Sequence, residues 1–82
     1  MTTKNKLLKR FLDCPDSLKF RQIERLLLWI GFERVQAKGS HVKFCHHACN
    51  IKFPIAVHNG DCKNCYKRLV ARIIKDNFYL ND

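Results

Sequence analysis

Long apolar runs are missing from this chain. The longest, Leu26-Leu27-Leu28-Trp29-Ile30, is cut off by Gly31 and followed by charge, well short of the roughly 20 residues a membrane span needs. The basic N-terminus, Met1 to Arg10, leads into no apolar run of signal-peptide length, so a cytoplasmic protein is the expectation. Internal repeats and low-complexity segments are absent too.

Acidic residues are scarce. Seven Asp and Glu stand against 16 Lys and Arg, a formal net charge of +9. On a small domain such an excess points to a polyanionic partner, because each cation brought onto a phosphate releases condensed counterions. An acidic protein partner or a merely solubilising surface would carry the same charge. A paired set of disulfides is also lacking. The cysteines number five, at Cys14, Cys45, Cys49, Cys62 and Cys65, and an odd count without a secretion signal leaves reduced thiols or a metal site.

What is present suffices for one modest core. The 82 residues are 46% hydrophobic, more than a solvated disordered chain carries, and they read as a single domain, 1–82. Leu7, Leu8, Phe11 and Leu12 give residues 4–13 a helical apolar side, and Pro15 ends that helix by disfavouring helical geometry at Cys14. Asp16 or Ser17 is then expected to cap a second helix, 18–30, buried through Phe20, Ile23, Leu26, Leu27 and Ile30, with Gly31 at its C-terminus. Residues 32–38 alternate as a half-buried strand with Val35 and Ala37 on one side. Gly39-Ser40 makes a turn into a second strand, 41–46, with Val42 and Phe44 inward and His41, Lys43 and Cys45 outward. A third strand, 50–58, turns Ile51, Phe53, Ile55 and Val57 inward. Asn59-Gly60-Asp61 reads as a loop with a capping aspartate. The last helix, 62–76, is expected to bury Cys62, Tyr66, Leu69 and Ile73, flanked by Cys65 and Val70, with Phe78 and Leu80 of the tail adding to the core. Helices gathered on one side of an antiparallel sheet make an α+β, two-layer domain.

Three groups of residues invite a chemical reading. Cys45 and Cys49, then Cys62 and Cys65, have the Cys-x3-Cys-x12-Cys-x2-Cys spacing of tetrahedral zinc sites. The strand assignment separates the pairs to opposite ends of the sheet, and Cys62 and Cys65 read equally well as buried thiols. His41 and His58 fall on the outward face, opposite each other or within two residues. Two imidazoles there can move protons near neutral pH, one taking the 2′-hydroxyl proton of RNA and an acid protonating the leaving 5′-oxygen. Lys38, Lys43 or Lys52 would stabilise charge developing on the phosphate. Exposed strand histidines are also ordinary surface residues. The last helix carries Lys63, Lys67, Arg68, Arg72 and Lys75 with no acidic residue between Asp61 and Asp76, a row a phosphate backbone would neutralise, or else a solvated face. Trp29 and the phenylalanines fall mostly at core positions.

The stretches LLLWIGFERV (26–35) and KGSHVKF (38–44), a third strand ending in His58, and the closing RLVARIIKD (68–76) together resemble the HicA toxins of bacterial toxin–antitoxin pairs. The resemblance covers Phe20 to Phe78. It implies a double-stranded-RNA-binding-like α-β-β-β-α fold, here with an extra N-terminal helix (1–16 as an extension, 17–78 as the core). It implies a metal-independent endoribonuclease that cleaves mRNA, with His41 of the Gly-Ser-His motif catalytic and His58 a second candidate. RNA contacts would fall to Lys38, Ser40, Lys43, Lys52, Lys63, Lys67, Arg68 and Arg72. The implied partners are RNA and a HicB-like antitoxin that masks the active site, with no cofactor. Three features depart from the family pattern: Ala56 stands where a proline is common, Cys62-Lys-Asn-Cys65 begins the last helix, and the N-terminal helix is additional. A non-catalytic RNA-binding module and a small zinc-binding adaptor stand as alternatives.

Overall fold

Leu7, Leu8, Phe11 and Leu12 all point into the protein, so the chain enters as an amphipathic helix, α1 (Thr3–Asp13). The computed structural model describes residues 3–36 and 38–78. Cys14, ahead of Pro15, leaves helical geometry at φ −139° and ψ 79°, as the proline ring requires. A single 3-10 turn, Pro15–Ser17, follows, and α2 begins only at Phe20 and runs to Ile30.

Neither Asp16 nor Ser17 caps α2, contrary to expectation. The Ser17 hydroxyl donates to the Cys14 carbonyl at 2.7 Å, and the Asp16 carboxylate is taken by Arg68. The free donors at the start of α2 are met instead by Gln22, whose side chain accepts from Lys19 N at 3.0 Å, and by Asp61, whose Oδ1 accepts from Phe20 N at 2.9 Å. Asp61 does cap a helix, but not the one that follows it.

Gly31 ends α2 with φ 120°, and both its amide and that of Phe32 return to the Leu27 carbonyl. Phe32 is the residue here that enters the core, meeting Phe53 and Phe78 edge to face at centroid distances of 5.5 and 5.6 Å. The strands β1 (Glu33–Gln36), β2 (His41–His46), β3 (Ile51–His58) and β4 (Asp61–Cys62) form one antiparallel sheet in sequence order. The expected half-burial of the first strand does not occur. All four β1 residues are exposed, because β1 is the sheet's edge and Val35, opposite Lys43, lies on the face the helices do not cover. Ala37 and Leu80 lie outside the described residues.

β4 was not expected. It takes Asp61 and Cys62 into the sheet, so the last helix, α3, starts later, at Asn64, and ends at Asn77. Its buried face is Lys67, Val70, Ala71 and Ile74: Val70 is buried as expected and Tyr66 and Ile73 pack half-buried against the core, but the centre of the face is rotated away from Leu69, which is 44% exposed. Val42, Phe44, Phe53 and Ile55 of the sheet share one core with Ile23, Leu26 and Leu27 of α2 and with that face of α3. The architecture is α+β, with the helices under one face of the sheet, and it matches a double-stranded-RNA-binding-like α-β-β-β-α layout extended by α1 and β4. No helix among the described residues is long and apolar enough to cross a membrane.

Candidate functional site

The uncovered face of the sheet is set by period two. Val42 and Phe44 are 3% and 0% exposed, so their neighbours His41, Lys43 and Cys45 must point the other way. His41 opposes Ala56, Lys43 opposes Pro54 and Cys45 opposes Lys52, and opposed residues of an antiparallel ladder share a face. His58 lies two positions beyond Ala56 on β3 and therefore on the same face. Such diagonal neighbours have their Cα atoms about 7–8 Å apart, near enough for two imidazoles to attend one substrate group.

The turn before His41 holds it in register. Gly39 adopts φ 63°, His41 N donates to the Lys38 carbonyl at 3.2 Å, and the Ser40 carbonyl accepts from Val57 N at 2.8 Å. The last contact ties the His41 end of β2 to the His58 end of β3. Asn59 and Gly60, both with positive φ, close the β3–β4 hairpin beyond His58 and pair it with Asp61. Lys38, Lys43, Lys52 and both histidines are exposed. The sheet thus presents two imidazoles and several ammonium groups on a surface without a helix over it.

The basic helix divides differently from its sequence pattern. Lys67 does not reach the surface: it is 5% exposed, and its ammonium lies 3.4 Å from the Asp61 carboxylate. It is therefore withdrawn as an RNA contact. Burial would raise the Asp61 pKa, but the amides of Cys62 and Phe20 and the Lys67 ammonium outweigh it and hold the carboxyl below its ordinary value. Arg68 grips Asp16 with two nitrogens at 3.2 and 2.7 Å, and Arg72 stands 3.9 Å from Asp76. The expected row of cations without acidic partners is thus largely charge-matched, two of its acids lying outside the helix in sequence. Arg68 and Arg72 also belong to the helical layer, across the core from His41. Lys63 is exposed directly after β4 and stands nearest in sequence to the His58 end of the sheet.

The cysteine pairs are separated along the sheet. Cys45 opposes Lys52 at one end of β3 and Cys62 opposes Val57 at the other, five residues or about 17 Å apart. Among the described residues no group of three or more His, Cys, Asp or Glu could hold a metal ion. All five cysteines are free; Cys65 is exposed rather than part of the core, while burial pushes the Cys62 thiol pKa up.

Two features had no counterpart in the sequence reading. His46 turns inward and packs on Phe32 and Phe78, at centroid distances of 5.0 and 4.8 Å. At the β2–β3 turn a cavity of about 210 Å³ is lined by Cys45, His46, His47, Asn50, Ile51 and Lys52. The signal available was Cys45-His-His-Ala-Cys49-Asn50, the end of β2 and the four-residue turn after it, whose spacing points first to its thiols.

Compared with known families, residues 20–77 match the model of the HicA toxin of bacterial toxin–antitoxin systems, which spans α2 to the end of α3 and leaves α1 outside. No curated protein and no solved structure matches the chain.

Proposed function

Because the chain belongs to the HicA toxin family of bacterial toxin–antitoxin systems, we propose that it is a metal-independent endoribonuclease acting on mRNA in the cytoplasm, with its active site on the uncovered face of the sheet. The observation that carries this reading is the placement of His41 and His58 on one exposed face, diagonal across the β2–β3 ladder and flanked by Lys38 and Lys43.

His41, as neutral imidazole, takes the proton of a ribose 2′-hydroxyl. The 2′-oxygen attacks the adjacent phosphorus, and the bond to the 5′-oxygen breaks as His58, as imidazolium, gives that oxygen a proton. The products are a 2′,3′-cyclic phosphate and a 5′-hydroxyl end, and the two histidines have exchanged protonation states. Lys38 and Lys43 balance the charge that develops on the non-bridging oxygens. Ser40, Lys52 and Lys63 extend the contact along the RNA backbone, which fixes position without reading sequence. The antitoxin is a HicB-like protein that covers the His41 face.

Product chemistry tests the reading. The purified chain, in excess chelator, is expected to cut single-stranded RNA into fragments ending in cyclic phosphate and beginning with 5′-hydroxyl. RNA that is bound and left whole would instead favour a non-catalytic binding module.

A further inference from the structure

The cavity at the β2–β3 turn lies on the same strands as His41 but serves no part of the chemistry above. Cys45 and Lys52, the outward cross-strand pair at that end, both line it. From His41 to Cys45 along β2 is four residues, about 13 Å, so an RNA whose scissile phosphate lies at His41 reaches the cavity a few nucleotides away.

The cavity is built rather than loosely formed. Asn50 holds φ 54° and its backbone N–H donates to the His47 carbonyl at 3.3 Å, and the Cys49 backbone N–H donates to His46 Nδ1 at 3.3 Å. These contacts close the turn beside Lys52. Its volume equals about seven waters at ~30 Å³ each, room for a flat ring rather than a bulky group.

The charges argue for a base and against a phosphate. Glu33, opposite Cys45 on β1, puts a carboxylate oxygen 2.7 Å from His47 Nε2. That carboxylate, outside the lining, offsets any charge on His47 and disfavours an anion beside the ring; the lining's remaining cation, Lys52, is exposed and reaches toward the RNA backbone. A neutral nucleobase would find a stacking imidazole in His47 and in the Asn50 side chain an amide that both donates and accepts. Unpaired bases are bound in this manner, stacked on a ring and hydrogen-bonded at an edge.

The geometry points to this cavity as a nucleobase subsite that takes an unpaired base of the RNA a few nucleotides from the phosphate at His41, with Asn50 reading its edge and His47 stacking on it while Lys52 holds the adjoining backbone phosphate. The assignment rests on the ribonuclease reading of the outward face. A base held in a duplex cannot enter, so the subsite selects single-stranded RNA.

Cys45 supplies a reporter. The full chain carrying Cys14→Ser, Cys49→Ser, Cys65→Ser and His41→Ala is expected to bind RNA without cutting it. Its probe is a set of single-stranded oligonucleotides, each with one base bearing a disulfide-activated thiol tether. Binding is followed by fluorescence anisotropy and cross-linking by gel shift. The expected result is a cross-link to Cys45 that disappears in Cys45→Ser and falls about tenfold in Asn50→Gly, which keeps the positive φ while removing the amide. The same probe annealed to its complement is expected to cross-link about tenfold less. RNA that binds but fails to cross-link at Cys45, or cross-links equally as a duplex, overturns the subsite and leaves the RNA reading standing. RNA that does not bind at all overturns both.

Discussion

His41 opposes Ala56 across the β2–β3 ladder, so His58 stands two residues further along the same face. The Ser40 carbonyl, bonded to Val57 N at 2.8 Å, locks the two strand ends that carry these histidines. If His58 is the acid that protonates the leaving 5′-oxygen, His58→Ala slows cleavage by about 10²-fold or more. The fall in rate on the alkaline side, where an acid loses its proton, then disappears from the pH profile. An unchanged rate and profile would remove His58 from the mechanism.

The lysines divide by layer. Lys43 and Lys52 are exposed on the outward face, whereas Lys67 is 5% exposed and bound to Asp61. Lys43→Gln or Lys52→Gln is expected to lower the slope of log K against log salt by about 0.7 each on single-stranded RNA. Lys67→Met leaves that slope unchanged and alters thermal stability instead. Salt titrations of RNA binding check both outcomes.

Asp61 joins three elements: its carboxylate accepts from Phe20 N at the start of α2 and from Cys62 N, and it neutralises Lys67 on α3. Its folded pKa lies below the ordinary carboxyl value of 3.8. The unfolded state therefore binds the proton more readily, and the contribution of Asp61 to stability is complete above about pH 4 and lost as pH falls through the lower folded value. Breaking a fully buried pair costs about 3–5 kcal/mol. With the Asp61 side chain 37% exposed, Asp61→Asn is expected to cost about 2 kcal/mol near neutrality. Denaturant unfolding against pH should show that penalty shrinking in acid.

Gly31 ends α2 at φ 120°, and a Cβ built there would lie 3.0 Å from His46 Nε2. Gly31→Ala combines backbone strain with displacement of a ring packed between Phe32 and Phe78. A loss of about 1–3 kcal/mol is expected, measured as a lower denaturant midpoint with the slope m unchanged.

Much of this was legible in the chain. The alternation of Val42 and Phe44 with His41 and Lys43 gave β2 and its outward histidine, and the Phe20, Ile23, Leu26, Leu27 ladder gave α2, because both patterns are local and of fixed period. What was illegible depends on tertiary partners. Nothing around Phe20 announces that Asp61 caps it, and nothing around Lys67 announces a buried ammonium; each becomes intelligible only once β4 brings Asp61 between α2 and α3. A cation at a core position also breaks the periodic rule, which is why the buried face of α3 was read onto Leu69 instead of Ala71. The exposure of Val35 follows from β1 being an edge strand, a property of sheet order rather than of alternation. At the candidate site, His41 came from a motif and a period, whereas the cavity at the β2–β3 turn came from neither.

The central claim is that His41 performs proton transfer on RNA. The most direct measurement is the single-turnover cleavage rate of His41→Ala beside wild type, with circular dichroism and RNA affinity recorded on the same samples. The account predicts native spectra, affinity within a few-fold of wild type, and a rate lower by about 10²–10⁴-fold. A folded His41→Ala protein that cleaves RNA at the wild-type rate would contradict it.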